Sequence, residues 1–196
     1  NHVANFIIWG WLFGFYLNVI SRTAIEDDQL PEIDIGTSIT FIVYILGPFF
    51  TFFFTLFLVE MPFILGMSLV QDRGITFENL FSGATGLHRL LQVLLLGGLF
   101  LFPAAILTTA VGGTFSLLRP DYLLAPLPKA LMPYLTAVAL LVAACILETQ
   151  TTQYTGAEWR VTVAHLGLNL LVQVVAIFAM RAIGLFYRHY GCHFKW

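Results

Sequence analysis

"GTSITFIVYILGPFFTFFFTLFLVEMPFILGMSLV" (residues 36–70) is an apolar run of 35 residues whose only charged side chain is Glu60. As one helix it would measure about 52 Å, against a hydrocarbon core of about 30 Å. It is too long for a single upright crossing and short for two crossings with a turn between them. Pro48 and Pro62 punctuate it. A proline supplies no backbone N–H and crowds the preceding turn, so breaks near both positions are expected. The run predicts a kinked span, part of which lies in the interface or re-enters.

The rest of the composition agrees. Of 196 residues, 59% are hydrophobic and 10% charged, and mean hydropathy is +0.86. A soluble domain carries about 25% charged residues. So few charges cannot clothe this much Phe, Leu, Val and Ile in water, and lipid must solvate most of the surface. Nineteen Phe residues suit that setting, since they fill space between helices and acyl chains without polar partners. The fold class expected is all-α: a polytopic integral membrane helical bundle of five or six segments with Pro-kinked or re-entrant helices, forming one domain over residues 1–196. A formal net charge of -2 and the absence of a basic patch exclude a nucleic-acid surface.

Working outward, Val3–Ile20 is long enough to span and ends at Ser21-Arg22. Phe77, Leu80 and Phe81, within the polar stretch 71–89, recur at helical spacing and predict a short interfacial helix. Further spans are expected over 90–111, with Pro103 as a kink, over 129–147, and from Val161 to about Tyr187. Gly112-Gly113 marks a stop. The strongest basic cluster, Arg181, Arg188 and Lys195, places the C-terminus in the cytoplasm. The N-terminus and the loop after the first span then depend on whether residues 36–70 cross once or twice. The chain opens on Asn1-His2 with neither Met nor a basic n-region, which is not a secretory leader and predicts an N-terminal segment upstream.

Ionisable groups at membrane depth are costly, by about 2.5 kcal/mol or more for a charge at a helix centre, so each is a candidate site. Glu60 and Glu148 form the candidate intramembrane polar site, as a proton or cation relay. The plainer reading has Glu60 neutralised at a helix break near Pro62 and Glu148 facing headgroups. His88 and His165 are the candidates for a cofactor, as a bis-His haem, although no HExxH or i, i+4 pair supports them. His189, Cys192 and His193 could at most begin a zinc site, which needs a fourth ligand, and a basic tail at the headgroups is the commoner arrangement. Arg181 can snorkel to the headgroups. Cys145 lies in an apolar run, and neither cysteine belongs to a CxxC pair. Gly97-Gly98 inside a span reads as a close helix contact. Nothing resembles a nucleophile–base pair or a phosphate loop, so no enzymatic activity and no metal are expected.

Between the first two apolar runs, Glu26, Asp27, Asp28, Glu32 and Asp34 crowd into nine positions with no basic residue. The stretch "GFYLNVISRTAIEDDQLPEIDIG" (residues 14–36) resembles the first helix and loop of a bacterial polytopic membrane family known only as a domain of unknown function. Leu30, Pro31, Glu32 and Asp34 match its Leu-Pro-Glu-x-Asp turn. "RAIGLFYRHYG" (181–191) is similar to the close of related membrane domains that follow a zinc ribbon and a linker. The resemblance implies a helical membrane domain of a longer bacterial protein and transfers no catalytic residue. It suggests a helix-entry turn, with Pro31 fixing the backbone and Asp34 capping the segment from Ile35. The function expected is a structural or accessory subunit of the bacterial inner membrane that packs against membrane-protein partners, lipids or pigments. The alternative is a small transporter or channel using Glu60 and helices broken near Pro48 and Pro62.

Overall fold

The computed structural model describes residues 2–25, 39–77, 79–83, 85–151 and 159–194, with side chains described for all of these except 2–5 and 39–42. The acidic stretch and its capping turn fall in 26–38, outside the described residues. The helices are α1 (His2–Ala24), α2 (Ile39–Val70), α3 (Gly86–Gly112), a short α4 (Pro120–Leu124), α5 (Leu131–Thr151) and α6 (Trp159–Tyr190). No strand occurs among the described residues. Four segments are long and apolar enough to cross a membrane: Val43–Arg73, Gly86–Gly112, Leu131–Thr151 and Trp159–His193. The all-α bundle expected from composition is therefore the architecture found.

The long apolar run forms one helix. α2 continues for 32 residues with Pro48 and Pro62 both inside it. It neither splits nor turns back, so the re-entrant form and the breaks expected at the prolines are absent. Helix α3 likewise carries Pro103 in its interior. The Tyr134 hydroxyl donates to the Phe100 carbonyl, next to the Leu99 carbonyl that Pro103 leaves without its helical donor. That bond ties α5 to α3.

Two antiparallel pairs make up the bundle. In α2–α3, Glu60 lies opposite Gly98 and Gly66 opposite Leu91. In α5–α6, Tyr134 meets Phe186, with ring centroids 5.4 Å apart. Helix α1 joins the pairs. It runs parallel to α6, with the Tyr16 hydroxyl donating to Gln173 Oε1 at 2.7 Å and Thr23 packed on Gly184. On its other side Phe13 stacks on Phe52 at 4.2 Å.

Water does not drive these contacts, because lipid tails are as apolar as Leu; close packing must hold them. Two glycines of the α1 seams show how close that packing is. A Cβ on Gly10 would stand 2.4 Å from Ile45 Cγ2 and 2.8 Å from the Ile45 carbonyl oxygen. One on Gly184 would stand 2.7 Å from Thr23 Cβ and 2.8 Å from the Ile20 carbonyl oxygen. Neither position tolerates a side chain without a shift of backbone.

Among the described residues, the interfacial helix expected around Phe77–Phe81 is not formed. A 3₁₀ turn covers Gln71–Arg73, and turns follow. Asn79 explains the difference: its Oδ1 accepts from the Thr76 N–H and its Nδ2 donates to the Gly74 carbonyl, each at 2.9 Å. Asn side chains compete with helix for backbone groups in this way. Leu80 is buried while Phe77 and Phe81 remain exposed. At the other end of α3 the expected stop is present, with Gly113 left-handed at φ 64°.

Helices α5 and α2 are the least covered, with 17% and 22% of their most apolar stretches buried in the protein, against 44% for α3. A gap opens beside α5.

Candidate functional site

Three places between the helices bring candidate polar groups together. The first lies where α1, α2 and α3 meet near Pro48. It is a hollow of about 360 Å³ lined by Asn18, Ser21, Tyr44, Thr51, Thr109 and Thr114 among others. Pro48 has no N–H for the Tyr44 carbonyl, and that oxygen faces Gly14 across the helix seam. Behind the hollow three hydroxyls are buried. Thr55 donates to the Thr51 carbonyl at 2.7 Å and approaches Thr109 Oγ1 at 3.4 Å, while Thr108 bonds the Ala105 carbonyl at 2.8 Å. Threonines that bond back to their own helix are satisfied at membrane depth.

The second space belongs to Glu60. It is 8% exposed, and neither carboxyl oxygen has a hydrogen-bond partner among the described residues. It lies in the α2–α3 seam against the backbone of Gly98, where an added Cβ would stand 2.5 Å from Oε1 and 2.8 Å from Oε2. The close contact expected of Gly97-Gly98 is made by Gly98; Gly97 has open space around it.

The third space is the gap beside α5. Two adjoining hollows of about 310 and 400 Å³ share Phe52, Leu141 and Cys145. The larger is walled by Leu56, Leu99, Phe102 and Ile146 and reaches Thr149. The smaller contains Glu148, close to the Tyr16–Gln173 hydrogen bond and to Trp9.

Glu60 and Glu148 thus face different spaces, the first a closed seam and the second an open cleft. His88 and His165 stand on different helices, α3 and α6. His88 Nδ1 is 2.6 Å from Thr85 Oγ1, and its ring covers Gly83. The Asn169 amide donates to the His165 carbonyl at 2.9 Å. In the tail, a His189 ring nitrogen is bonded to the Leu185 carbonyl at 3.0 Å, while Cys192 and His193 approach at 3.7 Å. No group of three His, Cys, Asp or Glu converges among the described residues.

Sequence reading passed over Gln173, the hydroxyl trio and Asn169. Asn169 lies ten residues into α6, about 15 Å along its axis, and is exposed on the bundle surface between exposed Leu166 and Leu170. An amide interrupting a leucine run inside a span was the available signal. No family model, curated protein or solved structure matches this chain.

Proposed function

We propose that this chain is an accessory or scaffold subunit of a bacterial inner-membrane complex, held by partner membrane proteins and lipids. The outward face of α6 carries the reading: Gly167, Asn169 and the exposed Leu166, Leu170 and Val174 lie along it, and amides and small residues are common where transmembrane helices meet. Gly167 lies nearby with open space above it. The face of α6 bearing Leu166, Asn169 and Leu170 is where a partner helix would fit. A photo-crosslinking residue at Leu166 or Leu170 tests this in native membranes. Discrete adducts with one or two proteins, which also co-purify in mild detergent, are expected. Adducts with lipid alone would remove the reading.

In the proposed orientation the C-terminus is cytoplasmic. Because α2 is one helix, alternation from that end puts the acidic stretch inside and the N-terminus outside. Cys192 provides the check: a membrane-impermeant maleimide should label it in opened cells and leave it unlabelled in intact ones.

A second reading, a small transporter or channel, draws on Glu60. Its buried carboxyl, the hydroxyl trio and the hollow at Pro48 all lie along α2 and its contacts with α3. Purified protein in liposomes would then pass protons or a cation, and Glu60→Gln would stop the flux. Equal flux in both proteins would exclude a role for this carboxyl.

A further inference from the structure

The cleft beside α5 has a direction. Helix α5 has 21 residues, about 31 Å, close to the thickness of the hydrocarbon core. Leu141 therefore lies near the middle of the membrane, and Glu148 and Thr149 lie in its last turn near one surface. Along the cleft the lining is hydrocarbon from Phe52 and Leu141 outward, and a carboxylate stands at the mouth. Val142 and Ile146 flank the opening with 49% and 58% of their surface exposed, so it faces lipid. A molecule filling it must be apolar at membrane depth and polar at the level of the headgroups.

Charge and volume narrow the choice. Glu148 meets no basic side chain among the described residues. An ammonium placed at the mouth would pair with it, and a headgroup carrying only negative charge would be repelled. The two hollows, of about 310 and 400 Å³, adjoin through Phe52, Leu141 and Cys145. A single acyl chain is slim enough.

We propose that this cleft seats one acyl chain of a phospholipid whose primary ammonium headgroup, of the ethanolamine type, pairs with the Glu148 carboxylate. The two hollows lie side by side over residues 141–149 of α5. The chain enters beside Glu148 and Trp9 and lies across Leu141 and Cys145, which both hollows share, against Leu99, Phe102 and Ile146. The site does not depend on the partner face of α6, so either can fail alone.

Trp9 lines the cleft and reports on it. The test uses the full chain with Trp11→Phe, Trp159→Phe and Trp196→Phe, leaving Trp9 as the only indole, in phosphatidylcholine nanodiscs. A minor fraction of phosphatidylethanolamine or phosphatidylglycerol with brominated chains is added as quencher. An exposed ion pair shifts binding by about two- to fivefold, and brominated phosphatidylethanolamine should quench Trp9 more efficiently by that factor. Glu148→Gln should erase the preference. Cys145→Phe, a change at an exposed position that fills the cleft, should lower quenching by phosphatidylethanolamine with Glu148 intact. Equal quenching by the two brominated lipids, or a preference that survives Glu148→Gln, would overturn the proposal. So would crosslinks from Val142 or Ile146 to a co-purifying protein, which would mean that a helix fills the cleft.

Discussion

The α2–α3 seam and the α5 cleft each hold a carboxylate on a membrane helix, and they treat it in opposite ways. In the seam, Gly98 and Gly66 remove side-chain bulk where the helices face each other, and Glu60 is enclosed without a partner. Helix α5 turns its small residues Ala137 and Ala144 inward, where they are buried. Towards α2 and α3 it presents Leu141, Val142 and Cys145, opposite Phe52, Leu99 and Phe102. Bulk meeting bulk keeps these helices apart. With no water to squeeze out, nothing closes the gap except whatever occupies it. The placing of glycine and alanine thus decides which carboxylate is enclosed and which stays reachable.

Exchanging bulk between the two regions should break this contrast. Gly98→Leu drives a side chain into the Glu60 carboxyl and should cost about 3 kcal/mol, the upper end for overpacking, read by denaturant or SDS unfolding in mixed micelles. Adding Glu60→Ala should recover part of that loss; no recovery would place the clash elsewhere. Glu60→Leu alone removes an unpartnered buried polar group and should stabilise the protein by about 1–2 kcal/mol. A loss of stability would show that the carboxyl has a partner. Tyr134→Phe removes the bond that steadies α3 near Pro103 and should cost about 1 kcal/mol. Ile146→Phe, in the open cleft, should move stability by less than about 0.5 kcal/mol. A larger effect there would mean that the cleft is closed in the membrane.

Composition alone made the all-α membrane class legible, and the long helices begin and end within a few residues of the apolar runs. Breaks at the prolines of α2 did not follow because a proline weakens the ladder by one bond and one clash, which neighbouring helices can absorb. The helix expected at Phe77–Phe81 did not follow for a different reason: its apolar spacing is helical, but one Asn side chain takes the backbone bonds that a helix would need. Glu60 stood out at once as a lone charge in 35 apolar residues. That Gly98 faces it could not be read, since the pairing depends on the register of α2 against α3. The cleft was illegible too, since it depends on how α5 sits against α2 and α3. The carboxylates of residues 26–34 lie outside the described residues, and the helix-entry role read from them stays an expectation.

Every role assigned to these side chains presumes that hydrocarbon covers the outer face of the bundle. Nitroxide labels at Val93, Val142, Val174 and Phe178, all exposed and apolar, measure this directly through collisions with oxygen and with a water-soluble nickel chelate. In reconstituted membranes the account predicts frequent collisions with oxygen and few with nickel at all four positions. Frequent nickel collisions at these positions would contradict it.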